Sequence, residues 1–203
     1  MEDNRKYEKE LNAKGINIIG GVDEVGRGPL IGSVVAACVV LPKDFTIEGL
    51  TDSKKLSEKK REQLFDIITE KAIAYCVAFG TLEEIEEKNI LQATFLAMNR
   101  AIEGLEQKAD FALIDGNKIP VGIKIPAAAI VKGDAKSMSI AAASILAKVS
   151  RDRLLMEYDK KYPEYQFAKH KGYGTKLHTD LIKEYGPCEI HRLSFLKNIL
   201  GDK

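Results

Sequence analysis

The 203-residue chain has no tryptophan, only three cysteines and six prolines, and almost no net charge, since 31 basic residues are set against 30 acidic ones. Each shortage excludes something. Cys38, Cys76 and Cys188 are odd in number, far apart and without metal-ligand spacing, which excludes a disulfide framework and a zinc site and leaves buried thiols as the expectation. The longest apolar run, 33–42, is well short of the roughly 20 residues a membrane-spanning helix needs, and the first fifteen residues are too charged for a signal peptide. A cytoplasmic location is therefore expected. There is no internal repeat, low-complexity segment or proline- or serine-rich linker, so residues 1–203 read as one domain, with residues 163–203 as a helical C-terminal appendage. A net charge of +1 gives no global signal for nucleic acid, so any such claim rests on where the charges sit.

The content is that of a soluble globular protein, 45% hydrophobic and 30% charged. Its charges are unevenly placed: Lys54, Lys55, Lys59, Lys60 and Arg61 surround the single acid Glu58, Glu83, Glu84, Glu86 and Glu87 precede Lys88, and 169–176 holds three lysines and His170 with no acid. Runs of this kind are ordinarily solvated faces. Residues 16–23 and 31–41 read as two strands of a hairpin around a glycine-rich turn. A helix is expected over 58–72 with Ser57 as its cap, then a strand over 73–80 and a helical stretch over 82–107 broken near Asn89. A short strand follows at 111–115, another β run leads to Asp134, and a long helix over 137–162 is alanine-rich in its first half, suited to close packing. A hairpin followed by alternating helices and strands indicates an α/β sheet covered by helices.

Asp23 with Glu24, Asp115 in "LIDGN" and Asp134 in "IVKGD" stand after apolar β-like sequence or beside a glycine turn, so one sheet edge could receive all four. An Asp before Gly is common in turns, and each acid alone could be no more than that. Gathered together, ionised carboxylates ~4 Å apart cost about 4 kcal/mol per pair at an effective dielectric of ~20, so the set requires a cation. Oxygen ligands favour magnesium or manganese, and two such ions roughly 3.5–4 Å apart suit phosphodiester hydrolysis. Adjacent strand residues face opposite ways, so Asp23 and Glu24 are expected to share a site only if the strand ends or bulges there. Gly26, Arg27 and Gly28 let backbone N–H groups and a guanidinium approach a phosphate or sugar. Ser53 and Lys54 offer a hydroxyl and an ammonium group to phosphates, and Tyr173 in "HKGYG" offers a ring against a sugar or base.

In order and spacing, "GVDEVGRGPLIGSVVAACVVLP", "DSKKLS", "LIDGN", "KGDAKSMSIAAASILAKVSRD", "HKGYGT" and "GPCEIHRLSF" resemble the signature blocks of bacterial type 2 ribonuclease H, ribonuclease HII, over about residues 16–195. The resemblance implies the ribonuclease H-like fold, a mixed five-stranded sheet flanked by helices with a helical C-terminal region. It also implies hydrolysis of the RNA strand of RNA–DNA hybrids, and cutting 5′ of single ribonucleotides in duplex DNA to leave a 3′-hydroxyl and a 5′-phosphate, with two Mg2+ or Mn2+ ions. Carried over, Asp23, Glu24, Asp115 and Asp134 match the catalytic acids, and Gly26, Arg27 and Gly28 match the motif that contacts the ribose 2′-hydroxyl. Tyr173 matches the tyrosine at the ribo–deoxyribo junction, and Lys54 and Lys148 match phosphate-binding lysines. Lys197 departs from a common family proline. The sibling type 3 enzymes carry an extra N-terminal domain that the fifteen residues before Ile16 are too few to form. A monomer acting on RNA–DNA hybrid and ribonucleotide-containing duplex is the expectation; a junction or flap nuclease of the same fold, or a non-catalytic hybrid-binding protein, are the alternatives.

Overall fold

Val34–Val40 reads VVAACVV, with no polar residue to mark a solvent face, and every one of its side chains is buried. A strand of that kind belongs inside a sheet covered on both sides, and there it lies in the computed structural model, which describes residues 4–47, 49–50 and 56–201. The strands are β1 (Ile19–Val25), β2 (Val34–Val40), β3 (Ala74–Gly80), β4 (Phe111–Asp115) and β5 (Ala127–Ile130). They form one sheet in the order β3-β2-β1-β4-β5; β1 and β3 run antiparallel to β2, while β4 is parallel to β1 and β5 to β4. The mixed five-stranded ribonuclease H-like sheet is thus the fold observed.

One sheet face packs Val22, Ala36, Cys38 and Val40 against α4 (Ile90–Glu103) through Ala93, Ala97, Met98 and Ala101. The other packs Val35, Ala37 and Val39 against α2 (Glu58–Lys71) and α5 (Met138–Lys161). Ser57 caps α2 by accepting from the Lys60 N–H. The helical stretch breaks at Asn89, between α3 (Leu82–Lys88) and α4: its φ of +78° ends α3, and its side chain accepts from the N–H groups of Leu91 and Gln92 to begin α4. The alanine-rich half of α5 crosses β1 so closely that a Cβ on Gly21 would lie 2.1 Å from the Ser139 carbonyl carbon. The C-terminal helices α6 (Phe167–His170), α7 (Lys176–Tyr185) and α8 (Leu193–Leu200) close a separate apolar cluster against Leu30, Ile31 and Leu155.

Two expectations need correction, and one helix adds to the elements read from the sequence. The polar N-terminus forms a helix, α1 (Lys6–Asn12), too short to carry a readable period. Its Glu8 is buried and accepts from the Ser137 hydroxyl and the Ser139 N–H, a negative charge placed at the N-terminus of α5. Of the thiols only Cys38 is buried; Cys76 lies on the edge strand β3 and Cys188 in the loop before α8, and both are half-buried. The strand β1 neither ends nor bulges at Asp23–Glu24, since its pairing with β2 continues from Gly20 to Val25. Among the described residues no helix is long and apolar enough to cross a membrane.

Candidate active site

Regular pleating puts Asp23 on the α5 side of the sheet, with Val25, and Glu24 on the α4 side, with Val22. The two carboxylates nevertheless line the same cavity, because β1 pairs with β4 only as far as Val22 opposite Ile114 and the cleft opens at that end of the sheet. Asp115, the last residue of β4, follows directly in the register and lines the cleft as well. The cavity is about 350 Å³, and Val25, Arg61, Ser144, Lys148 and Tyr173 complete its walls. Glu24 and Asp115 also border a neighbouring cleft of about 360 Å³ with Arg27 and Asn117. Asp134 is not among the lining side chains. It stands half-buried on the 3-10 turn Gly133–Ala135 beyond β5, and the Gly133 N–H donates to Asp115 Oδ1 over 2.6 Å, which ties that turn to the strand end.

Asp23 is strongly perturbed by its surroundings. Burial pushes its carboxyl well above the usual carboxylate range, and the charges of Glu24 and then Asp115 push it further, against hydrogen bonds from the Glu24 N–H and Ser144. That mutual repulsion, among oxygen donors only, is the chemistry of a hard divalent-cation site. Among the described residues, however, no three His, Cys, Asp or Glu side chains stand close enough together to hold a metal ion. The donor set fits a divalent ion, and the side chains would have to draw in to ligate it.

A cationic wall faces the acids. Lys148 Nζ contacts Asp152 Oδ1 at 2.6 Å, and Arg61 reaches the same carboxylate at 3.7 Å. Asp152 thereby holds two cleft cations on one anchor. Arg27 projects into solvent and meets Glu24 at only 3.5 Å, a contact worth little by itself. Beneath the Gly26–Arg27–Gly28 turn lies the fully buried Arg192. Its guanidinium donates to the carbonyls of Gly26 (2.7 Å), Arg27 (3.1 Å), Pro29 (2.8 Å) and Gly32 (2.8 Å). Because N–H and C=O point oppositely across a trans peptide, capture of the Gly26 and Arg27 carbonyls turns the N–H groups of Arg27 and Gly28 away from the core. Gly28 sits beside the Tyr173 ring, 3.4 Å from where its Cβ would be, and Tyr173 is 49% exposed.

Residues 20–198 match the model of the family described as Ribonuclease HII. The chain belongs to the ribonuclease HII family. It is accordingly an endoribonuclease, a hydrolase of the ribonuclease H type. Ribonuclease HII of Caldanaerobacter subterraneus subsp. tengcongensis is 54% identical over 200 residues, 98% of this chain and 83% of that protein. Among solved structures, ribonuclease H2 from Pyrococcus horikoshii OT3 superposes with a TM-score of 0.75 at 28% identity, covering 89% of this chain and 96% of the other. Bst-RNase HIII in complex with Mn2+ superposes with a TM-score of 0.69 over 87% of this chain and 66% of the other, and at 17% identity shares the fold.

Of the residues singled out from the sequence, Asp23, Glu24, Asp115, Lys148 and Tyr173 line one cleft, Gly26, Arg27 and Gly28 flank it, and Asp134 is hydrogen-bonded to it through its neighbour. Ser53 and Lys54 lie outside the described residues. Sequence reasoning missed Arg61, Ser144, Asp152 and Arg192. Arg61 ends the basic run after Lys54, and Arg192 stands in the "HRLSF" block, but neither signal says that the side chain turns inward.

Proposed function

We propose that this ribonuclease HII family member, acting as a monomer, hydrolyses the RNA strand of RNA–DNA hybrids and cuts 5′ of single ribonucleotides in duplex DNA, leaving a 3′-hydroxyl and a 5′-phosphate. The observation that carries this reading is one cleft in which three carboxylates face two cations and an exposed tyrosine beside the Gly-Arg-Gly turn. Every one of these groups comes from a single chain, and the C-terminal helices of 163–201 belong to the same catalytic unit because they deliver Tyr173.

Asp23, Glu24, Asp115 and Asp134 would hold two divalent ions, Mg2+ or Mn2+. The chemistry such ions supply when bound is activation of a water and stabilisation of the leaving oxygen. Arg61 and Lys148, with Lys54 on the strength of the resemblance, neutralise the phosphates on either side of the cut; Ser53 is assigned to phosphate for the hydroxyl it offers. The outward N–H groups of Arg27 and Gly28 offer donors to a 2′-hydroxyl, and Tyr173 presents a ring face to the sugar that follows. An RNA–DNA hybrid labelled at the 5′ end of its RNA strand tests the reading. Cleavage that requires added Mg2+ or Mn2+, stops with chelator and yields 3′-hydroxyl fragments supports it; metal-independent cleavage or 2′,3′-cyclic ends would overturn it.

A further inference from the structure

Three buried imidazoles lie behind Tyr173, and none enters the chemistry proposed above: His170, His178 and His191 are 7%, 0% and 2% exposed. Backbone groups of fixed polarity decide where each carries its proton. The Cys188 N–H can only donate, and it points at His191 Nδ1 over 2.9 Å. His191 Nδ1 therefore keeps its lone pair, and the neutral ring carries hydrogen on Nε2. The Tyr173 carbonyl can only accept, and it lies 2.9 Å from His178 Nδ1, so that ring carries hydrogen on Nδ1 and leaves Nε2 as an acceptor. The two assignments agree at the point where the rings meet: His191 Nε2 and His178 Nε2 are 3.2 Å apart, one a donor and the other an acceptor. His170 is fixed in the same way, accepting from the Gly172 N–H at Nδ1 and donating from Nε2 to the Tyr165 carbonyl at 2.9 Å. It stacks on His178 with ring centroids 4.2 Å apart and 19° between planes.

We propose that His191 and His178 form a directional hydrogen-bond relay, running from the Cys188 N–H to the Tyr173 carbonyl, that fixes the substrate-facing tyrosine, and that His178 is a positioning residue for recognition of the ribonucleotide junction. The inference rests on the reading of Tyr173 given above. The Tyr173 backbone is held at three points: its carbonyl accepts from His178 and from the Thr175 N–H at 2.8 Å, and its N–H donates to the His170 carbonyl at 2.9 Å. The Gly172 carbonyl accepts from the Leu30 N–H at 2.8 Å, which locks this segment to the end of the Gly-Arg-Gly loop. His178 is held in turn by the edge of Phe167, with centroids 5.6 Å apart, and its own N–H caps onto Thr175. A chain of single-orientation bonds suits a recognition ring that must meet a sugar within a fraction of an ångström. It works only while His191 and His178 stay neutral, because a second proton on either would set two N–H groups against each other.

Long-range nitrogen-15 correlation spectra of the unaltered protein near pH 7 read the tautomers directly. Hydrogen on Nε2 of His191, Nδ1 of His178 and Nε2 of His170 is expected; hydrogen on Nδ1 of His191, or on Nε2 of His178, would overturn the relay whether or not any variant folds. The positioning role is tested by His178→Phe, which keeps volume and removes the donor, beside His178→Asn, whose amide N–H falls near Nδ1. On a duplex with a single ribonucleotide, kcat/KM of H178F should fall about threefold to tenfold, the range one lost hydrogen bond gives, and H178N should recover most of it. On a long hybrid, where register along the strand is less critical, both should stay within about twofold. Equal losses on the two substrates, or no difference between H178F and H178N, would overturn the positioning role. Failure of the Tyr173 reading shows separately, as an unchanged substrate preference in Tyr173→Ala.

Discussion

Asp134 and Tyr173 bear most directly on the cleft at the scale of single residues. Asp134→Asn keeps shape and removes one negative charge from the acid set, so it should cost more activity than the 10–100-fold seen for partners one step removed from a metal, while hybrid binding, measured by gel shift, should hold or tighten. Cleavage near the original rate would remove Asp134 from the site. Tyr173→Ala should lose about tenfold to a hundredfold on a single-ribonucleotide duplex, in line with about 1–3 kcal/mol for a stacked base, and less on a long hybrid; equal losses would deny it a junction role. Tyr173 was legible as a cleft residue because it sits in a short local signature, a tyrosine between glycines, and Asp115 because it is an acid against a glycine turn. Arg192 was not, because its role exists only through carbonyls up to 166 positions away. Arg61, Ser144 and Asp152 act through partners on other elements in the same way, and no local pattern marks an inward-turned arginine.

Element packing was legible where one period dominates and illegible where two elements meet. The unbroken apolar run of β2, the Ser57 cap and the break at Asn89 all follow from local chemistry. The seven residues of α1 do not, since they are held by distant partners: Glu8 meets Ser137, 129 positions away, and Tyr7 and Leu11 pack on the cluster around Leu113 and Ile140. Nor did the strand pattern show how Asp23 and Glu24 could share a cleft while facing opposite ways. The answer lies in the staggered ends of β1 and β4 rather than in either strand alone. Gly21 is where α5 rests on β1, with the Ser139 and Ile140 backbone 2.1–2.3 Å from a would-be Cβ. The two nearest atoms are α5 backbone, which cannot rotate away, so Gly21→Ala should lose about 3 kcal/mol or more in chemical denaturation, the upper range for overpacking. Its activity should fall too, because Asp23 is two residues further along the same strand. An unchanged midpoint would mean that α5 is not seated on β1 as described.

Taken as one molecule, the enzyme joins a sheet that carries the acids to a C-terminal helical unit that carries Tyr173 and rests on buried histidines. Burial, above all, holds His178 and His191 down to about 4, from an ordinary 6.5. In the unfolded chain both take up protons as pH drops through 6.5, and in the folded chain they resist until about 4. Their contribution to stability is therefore present above 6.5 and lost as pH falls from 6.5 toward 4. Asp23 has the opposite sign, so the histidine effect is isolated by running the same series on H178N. The unaltered protein should lose stability on the order of a few kcal/mol between pH 7 and pH 4.5, and H178N distinctly less. With the acids, a divalent ion relieves repulsion that the folded chain alone must bear, so millimolar Mg2+ should raise the melting temperature at pH 7 and chelator should reverse the rise. The most direct test of the whole account is a paired cleavage assay with Mg2+ on two duplexes identical except that one carries a single ribonucleotide. Cutting confined to the ribonucleotide duplex, on the 5′ side of that residue, is the expected result; equal cutting of the all-DNA duplex, or tight binding without cutting, would contradict a cleft that joins an acid site to a 2′-hydroxyl gauge.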